Sequence, residues 1–269
     1  MNENYYKLTD IGINLTDSAF DSDREQVIAD AFDTGVKRLL ITGTTAAESE
    51  QAINLCKEHS NSLFCTAGVH PHYSKEFSPD VRQALVDLIK NPEVLAVGET
   101  GLDFNRNFST PEQQIYAFEQ QLELACNANL PLFLHERDAH TKQIEMLRHF
   151  RDQTAGGVAH CFTGNRQELY NYLDLDLYIG ITGWICDERR GSELLGLIKD
   201  IPVERLLLET DAPYLIPRDI KPKPKSRRNL PCYLPHILET AARARNTDPA
   251  ELALQTEENA ERLFRFNQT

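Results

Sequence analysis

No apolar run in this 269-residue chain approaches the ~20 residues needed to cross a bilayer, which argues against a helical membrane span. The opening MNENYYKLTD has neither the basic stretch nor the apolar core of an export signal. Six cysteines (Cys56, Cys65, Cys126, Cys161, Cys186 and Cys232) are scattered, with no C-x-x-C pair. Reduced thiols and a cytoplasmic location are therefore expected. Positive charge is also scarce. A formal net charge of −13 argues against a general nucleic-acid coat protein, because counterion release needs a positive surface. No linker, low-complexity tract or long repeat divides the chain, so one domain over 1–269 is expected.

One segment runs against the acidic balance. KPKPKSRRN, Lys221 to Asn229, holds five cations (Lys221, Lys223, Lys225, Arg227, Arg228) and no acid. By composition alone it reads as a solvated, proline-stiffened loop. It also offers a local basic patch.

What the chain does have is alternation. Short apolar or β-branched runs (KLTDIGINL, VKRLLITG, LFCTAGVH, VLAVGETGLD, LPLFLHE, GVAHCF, LYIGIT, RLLLETD) take turns with amphipathic helical patterns such as AAESEQAINLCKEHS and TPEQQIYAFEQQLELACNAN. Ser109-Thr110-Pro111-Glu112 offers a helix cap, and Gly35 a helix stop. Eight such strands predict parallel βα units of the α/β class, best closed as a (β/α)8 TIM barrel. A doubly wound open sheet is the alternative. Helices near Leu234 to Arg245 and Pro249 to Phe266 would cover the outside.

Barrel chemistry collects at the C-terminal strand ends, and the polar residues fall there. Side chains two apart share a strand face, which groups Gly68, His70 and His72 on strand 3. The same parity pairs Val97 with Glu99, Phe133 with His135 and Val158 with His160, and aligns Leu207, Glu209 and Asp211. Each alone has a structural reading: a hydrogen-bonded histidine, a turn-forming Glu99, a capping Asp211. Five strands ending in acids or imidazoles point instead to a cation that offsets buried charge.

In order along the chain, GVHPH, VGETGLDF, HERDAH, AHCFTG, GITGW and LLLETDAPYL resemble the TatD family of metal-dependent deoxyribonucleases, within the amidohydrolase-like barrels. The resemblance spans essentially the whole chain. It implies metal ligation by Glu99, His135 and His160, with Asp211 as catalytic aspartate or additional ligand. His70 and His72 fall in its third-strand motif, as candidates to contact a substrate phosphate. Much of the wider family carries an aspartate followed by His-x-His on strand 1. This chain keeps Asp10 but has Gly12 and Asn14 at those histidine positions. With Gly12 leaving room for water and Asn14 offering an oxygen, a hard cation is expected, Mg²⁺ first and Zn²⁺ or Mn²⁺ as alternatives. Histidines placed at 12 and 14 are expected to point toward Glu99 and Asp211 and to build a second, softer site.

The implied activity is 3′→5′ exonuclease action on single-stranded DNA and also RNA, with a role in DNA repair or degradation, by a cytoplasmic monomer. Arg106 and Arg137 are further phosphate candidates, with Trp184, Phe104, Phe108 and Tyr214 as bases' stacking partners. The competing readings are an amidohydrolase acting on a small cyclic amide or ester, and a barrel without catalysis. The absent strand-1 His-x-His speaks against the first, and the intact later ligand set against the second.

Overall fold

Eight short strands follow one another around the molecule: β1 (Leu8–Ile13), β2 (Val36–Ile41), β3 (Leu63–Ala67), β4 (Val94–Asp103), β5 (Leu132–Arg137), β6 (Gly157–Ala159), β7 (Tyr178–Ile181) and β8 (Leu206–Leu208). They belong to a computed structural model that describes residues 6–266. Residues 1–5, the start of the stretch read as lacking an export signal, and 267–269 lie outside the described residues. Every strand pairs in parallel with the next in sequence. Closure comes from a parallel bridge between Ile13 and Ala212, with Asp211 N donating to the Gly12 carbonyl and Asn14 N to the Ala212 carbonyl, both at 2.8 Å. The sheet is thus the expected TIM barrel. An open doubly wound sheet would reverse its strand order at a switch point, and this order never reverses.

Between strands run α1 (Arg24–Asp33), α2 (Ala46–Glu58), α3 (Pro79–Leu88), α4 (Pro111–Ala128), α5 (His140–Phe150), α6 (Arg166–Leu173) and α7 (Ser192–Leu197). Then α8 (Leu234–Arg245) and α9 (Pro249–Phe264) complete the chain. Their starts are written in the sequence. Thr110 caps α4 in a reciprocal box with Gln113, and Pro111 takes the first turn, where its missing N–H costs nothing. Gly35, at φ +96°, ends α1 as expected. The final helix stops two residues short of the expected Phe266, because Arg265 turns left-handed.

Apolar side chains fill two compartments. One lies between sheet and helices. The other fills the barrel, where Ile11, Leu40, Phe64, Phe133, Val158 and Leu207 meet Leu263, Phe264 and Phe266 from the C-terminal end. There Arg38 is buried over the Phe266 ring and paired with Glu257 and with Glu261. Glu257 also accepts from Thr9 Oγ1 at 2.7 Å. Among the described residues the large cavity lies at the opposite end, beyond the C-terminal ends of the strands. Among the described residues no helix is long and apolar enough to cross a membrane.

Strand alternation explains only part of what reaches that mouth. His135 shares a face with Phe133 on β5, as expected. The ladders of β3, β6 and β8 stop at Ala67, Ala159 and Leu208, so His70, His72, His160 and Asp211 lie beyond them. His70 caps the 3-10 turn Pro71–Glu76, accepting from His72 N at 3.1 Å, and Asp211 has φ +55°. Parity with Val158, inside the barrel, still holds for His160, whereas turns aim His70, His72 and Asp211.

Candidate active site

At the barrel mouth a cavity of about 550 Å³ is lined by Asn14, His70, His72, Glu99, Asp103, His135, His160, Cys161 and Asp211. Glu99 is its centre. Its Oε1 lies 2.9 Å from His135 Nδ1 and 3.5 Å from both His70 Nε2 and His160 Nε2. His70 Nε2 and His135 Nδ1 are 3.3 Å apart. Two donor groups result, each compact enough to hold an ion: His70, Glu99 and His135, and then His160, Cys161 and Asp211. The contact between Glu99 and His160 joins them.

Buried carboxylates hold these imidazoles from behind. Asp103 takes His72 Nε2 at 2.8 Å and lies 3.5 Å from His135 Nε2. Its other oxygen accepts from Asn105 N and Arg106 N. Glu209 accepts from His160 Nδ1 at 2.7 Å and from Cys161 N at 2.5 Å. Asn14 Nδ2 donates to Asp211 Oδ1 at 3.0 Å.

These contacts set the charges. Burial alone would raise Glu99, but His70, His160 and His135 hold it well below the usual carboxylate range. Burial likewise opposes charge on His135, yet Asp103 and Glu99 raise it to about 9. His160, also disfavoured by burial, is raised to about 10 by Glu209 and Glu99. Burial wins at His70 and lowers it to about 3. Asp211 is raised to about 7 by burial, with Glu99 and Glu209 adding to the effect and His160 opposing it. The centre thus favours positive charge.

The donor set fits a divalent cation. Imidazole and carboxylate donors about 3 Å apart suit metal–ligand bonds of about 2.0–2.2 Å. His135 Nε2 is buried with no hydrogen-bond partner of good geometry among the described residues. Histidine ligands held by carboxylates, as Glu209 holds His160, are a recurrent metal-site arrangement.

All nine residues proposed from sequence line this cavity, Arg106, Arg137 and Trp184 included. His70, a candidate for phosphate contact, lies in the central cluster, 3.5 Å from Glu99. Trp184 already carries the Arg190 guanidinium 4.4 Å over its ring, so that side is taken. Of the other aromatics, Tyr214 lines the cavity and donates its hydroxyl to Asp17 at 2.9 Å. Phe104 packs on the core. Phe108 is exposed against the His72 ring.

Strand 1 brings the main correction. A Cβ added at Gly12 would stand 2.3 Å from Glu209 Oε2 and 3.2 Å from Phe133, so any side chain there must displace the Glu209 carboxylate. At Gly180 a Cβ would meet Glu209 Oε1 at 2.5 Å. Two glycines therefore make the slot that Glu209 fills. Asp10 faces Thr210, accepting from its N at 2.9 Å and from its hydroxyl, and burial raises its pKa to about 7. The basic loop also changes: Arg228 is spent on Asp23, at 2.6 and 2.8 Å, and on the Ala19 carbonyl.

Glu209, Asp103 and Cys161 are the residues the sequence reading left without a role. A signal existed for Glu209, which shares strand parity with Asp211. Nothing in the sequence marked Gly12 and Gly180 as its walls.

The sequence signature described as TatD related DNase matches residues 9–265. The chain is 55% identical over 255 residues to a 3′-5′ ssDNA/RNA exonuclease TatD of Citrobacter rodentium, covering 95% of this chain and 97% of the relative. It is 54% identical to the Escherichia coli K12 protein of the same description, covering 95% and 98%. The crystal structure of a TatD family hydrolase from Entamoeba histolytica superimposes with a TM-score of 0.88 at 26% identity, covering 96% of this chain and 98% of that one. By fold, by site and by a match running nearly end to end, the chain belongs to the TatD related DNase family of phosphodiester hydrolases.

Proposed function

We propose that the chain is a metal-dependent 3′→5′ exonuclease of single-stranded DNA and of RNA, with Mg²⁺ as its working ion, acting as a cytoplasmic monomer in DNA repair or degradation. Polarity and substrate follow the activity named for relatives 54–55% identical over 95% of the chain. The observation that carries the chemistry is Glu99 among three imidazoles, beside a carboxyl group poised near neutrality.

In this reading Glu99, His135 and His160, with His70 adjoining, hold the cation, and Asp211 borders it. Bound there, a divalent ion would offset the charge on a phosphodiester oxygen and acidify water. The chain's own residues do the rest. Asp211, titrating near neutrality, takes the proton of the attacking water as the P–O bond breaks. Asn14 fixes one Asp211 oxygen by its hydrogen bond, leaving the other to act. Glu209 fixes the tautomer and plane of His160. Exposed Arg106 and Arg137 at the cavity wall suit the phosphate, and Trp184 and Tyr214 suit the bases.

The amidohydrolase alternative lacks the strand-1 His-x-His pair: Gly12 lies against the Glu209 carboxylate and Asn14 is bonded to Asp211. Digestion of 3′- and 5′-labelled single-stranded DNA with Mg²⁺, Mn²⁺ or Zn²⁺ tests polarity and ion together. Glu99→Ala and Asp211→Asn should each lower the rate by about 10² or more. Undiminished activity in both variants would overturn the assignment.

A further inference from the structure

We propose that Cys186, Asp219 and His236 form a second metal site, for a zinc-class cation, away from the catalytic cluster. Three distant segments meet there. Cys186 ends the 3-10 turn Gly183–Cys186 that follows β7. Asp219 lies in the connection after β8, and His236 in the first turn of α8. One donor atom from each can be chosen so that all lie within 4.8 Å of one another. His236 Nε2 and Asp219 Oδ1 are already 2.7 Å apart.

The donor types fit the ion. A thiolate, an imidazole and a carboxylate are the three ligand kinds zinc takes, leaving a fourth position for water. Mg²⁺ would reject such a set, since it prefers oxygen donors. The thiol forms the floor, only 4% exposed, and the acid and imidazole form the rim, so an ion enters from solvent without opening the core. Burial pushes the Cys186 thiol up to about 12, and Asp219 adds to this. Binding therefore forms a metal–sulfur bond, breaks the S–H bond and releases that proton to solvent. The proton between His236 Nε2 and Asp219 Oδ1 moves to His236 Nδ1 or to solvent, and two metal bonds take the place of that hydrogen bond.

Position gives the site a role. Trp184, on the cavity wall, precedes Cys186 by two residues on the same turn. Next to Asp219, Arg218 reaches Asp187 at 3.7 Å, and Asp187 also holds Arg190, which covers Trp184. An ion here clips the Trp184 turn to the β8–α8 connection and to α8, stiffening one wall of the cavity.

Cobalt is the probe, because Co²⁺ on a thiolate gives a sulfur-to-metal charge-transfer band that oxygen and nitrogen ligands do not. Titration of the full chain with Co²⁺ should produce this band. Cys186→Ser should abolish it, and Asp219→Asn and His236→Gln should each weaken Co²⁺ binding by at least about tenfold. Cys161→Ser, which removes the thiol of the catalytic mouth, should leave it in place. The two rim variants keep the test valid if Cys186→Ser fails to fold. No band in the wild type, or a band that survives Cys186→Ser and disappears with Cys161→Ser, would overturn the proposal. The readout does not depend on nuclease activity, so it stands or falls apart from the exonuclease assignment.

Discussion

Glu209 occupies the space that a side chain at Gly12 would need, with Oε2 2.3 Å from where a Cβ would stand. The two residues come from opposite ends of the barrel sequence, and their fit holds His160 in place through a 2.7 Å hydrogen bond. Glu209→Gln keeps the shape and removes the charge. It should fold normally and weaken metal affinity and activity by about 10–100-fold, as loss of a ligand's orienting partner does. Metal titration beside a thermal melt checks both halves. Unchanged affinity would reduce Glu209 to a packing role.

Gly12→Ala carries the same relationship into stability. The new methyl must displace a carboxylate with no exposed surface, so melting temperature and activity should fall together. Gly12→His with Asn14→His should fail to create a tight zinc site. A gain of one tightly bound Zn²⁺ on dialysis would refute the slot.

Metal binding should release protons. His135 and His160 titrate at about 9 and about 10, so at pH 7 both carry a proton that a cation must displace. About two protons should appear per ion, read from the buffer dependence of the calorimetric enthalpy. The sign for the metal-free protein follows. Imidazoles raised above their unfolded value of about 6.5 stabilise the fold fully below that pH. This contribution is lost as pH climbs through 9 to 10, so the metal-free melting temperature should fall there. A flat profile would contradict it.

At the sealed end of the barrel, Glu257→Ala would leave Arg38 buried with one partner fewer. Breaking such a pair should cost about 3 kcal/mol. Activity per folded molecule should not change, since the pair sits at the far end from the cavity. Denaturant unfolding gives the number, and a loss under about 1 kcal/mol would mean the site relaxes around the gap.

The basic loop separates into two predictions. Neutralising Lys221, Lys223, Lys225 and Arg227, all exposed, should flatten the salt dependence of single-strand binding by about 0.7 log unit per lost phosphate contact. Arg228→Ala should leave that slope alone and lower the melting temperature by about 2–4 °C, because its guanidinium anchors the loop to Asp23. The reverse pattern would assign Arg228 to the substrate.

Much of the site was legible because barrel strands aim alternate residues at one mouth, which put His135 on the face of Phe133 and His160 on the face of Val158. Glu99, by contrast, parts from Val97, which packs outside the barrel because the β4 ladder is irregular between Val97 and Thr100. Asp211 was found by type and by resemblance, while the geometry that delivers it is a left-handed backbone that parity does not describe. The strand-1 reading failed for a different reason. An absent side chain looks like space in a sequence, yet space in a packed interior belongs to whichever neighbour fills it, and that neighbour lies 197 positions away. Arg228 shows the same limit at the surface: composition counts a cation, and only contact reveals that it is already paired.

The hydrogen bonds that close the barrel, from Asp211 N to Gly12 O and from Asn14 N to Ala212 O, also have a consequence in time. They join parts of the chain about 200 positions apart, and such pairings form late because the loop entropy is lost before any contact rewards it. Asn14, Glu209 and Asp211 sit on this seam. A chain still short of its eighth strand has neither the base Asp211 nor Glu209, the group that aligns His160. Nuclease activity should therefore appear only once this seam has closed.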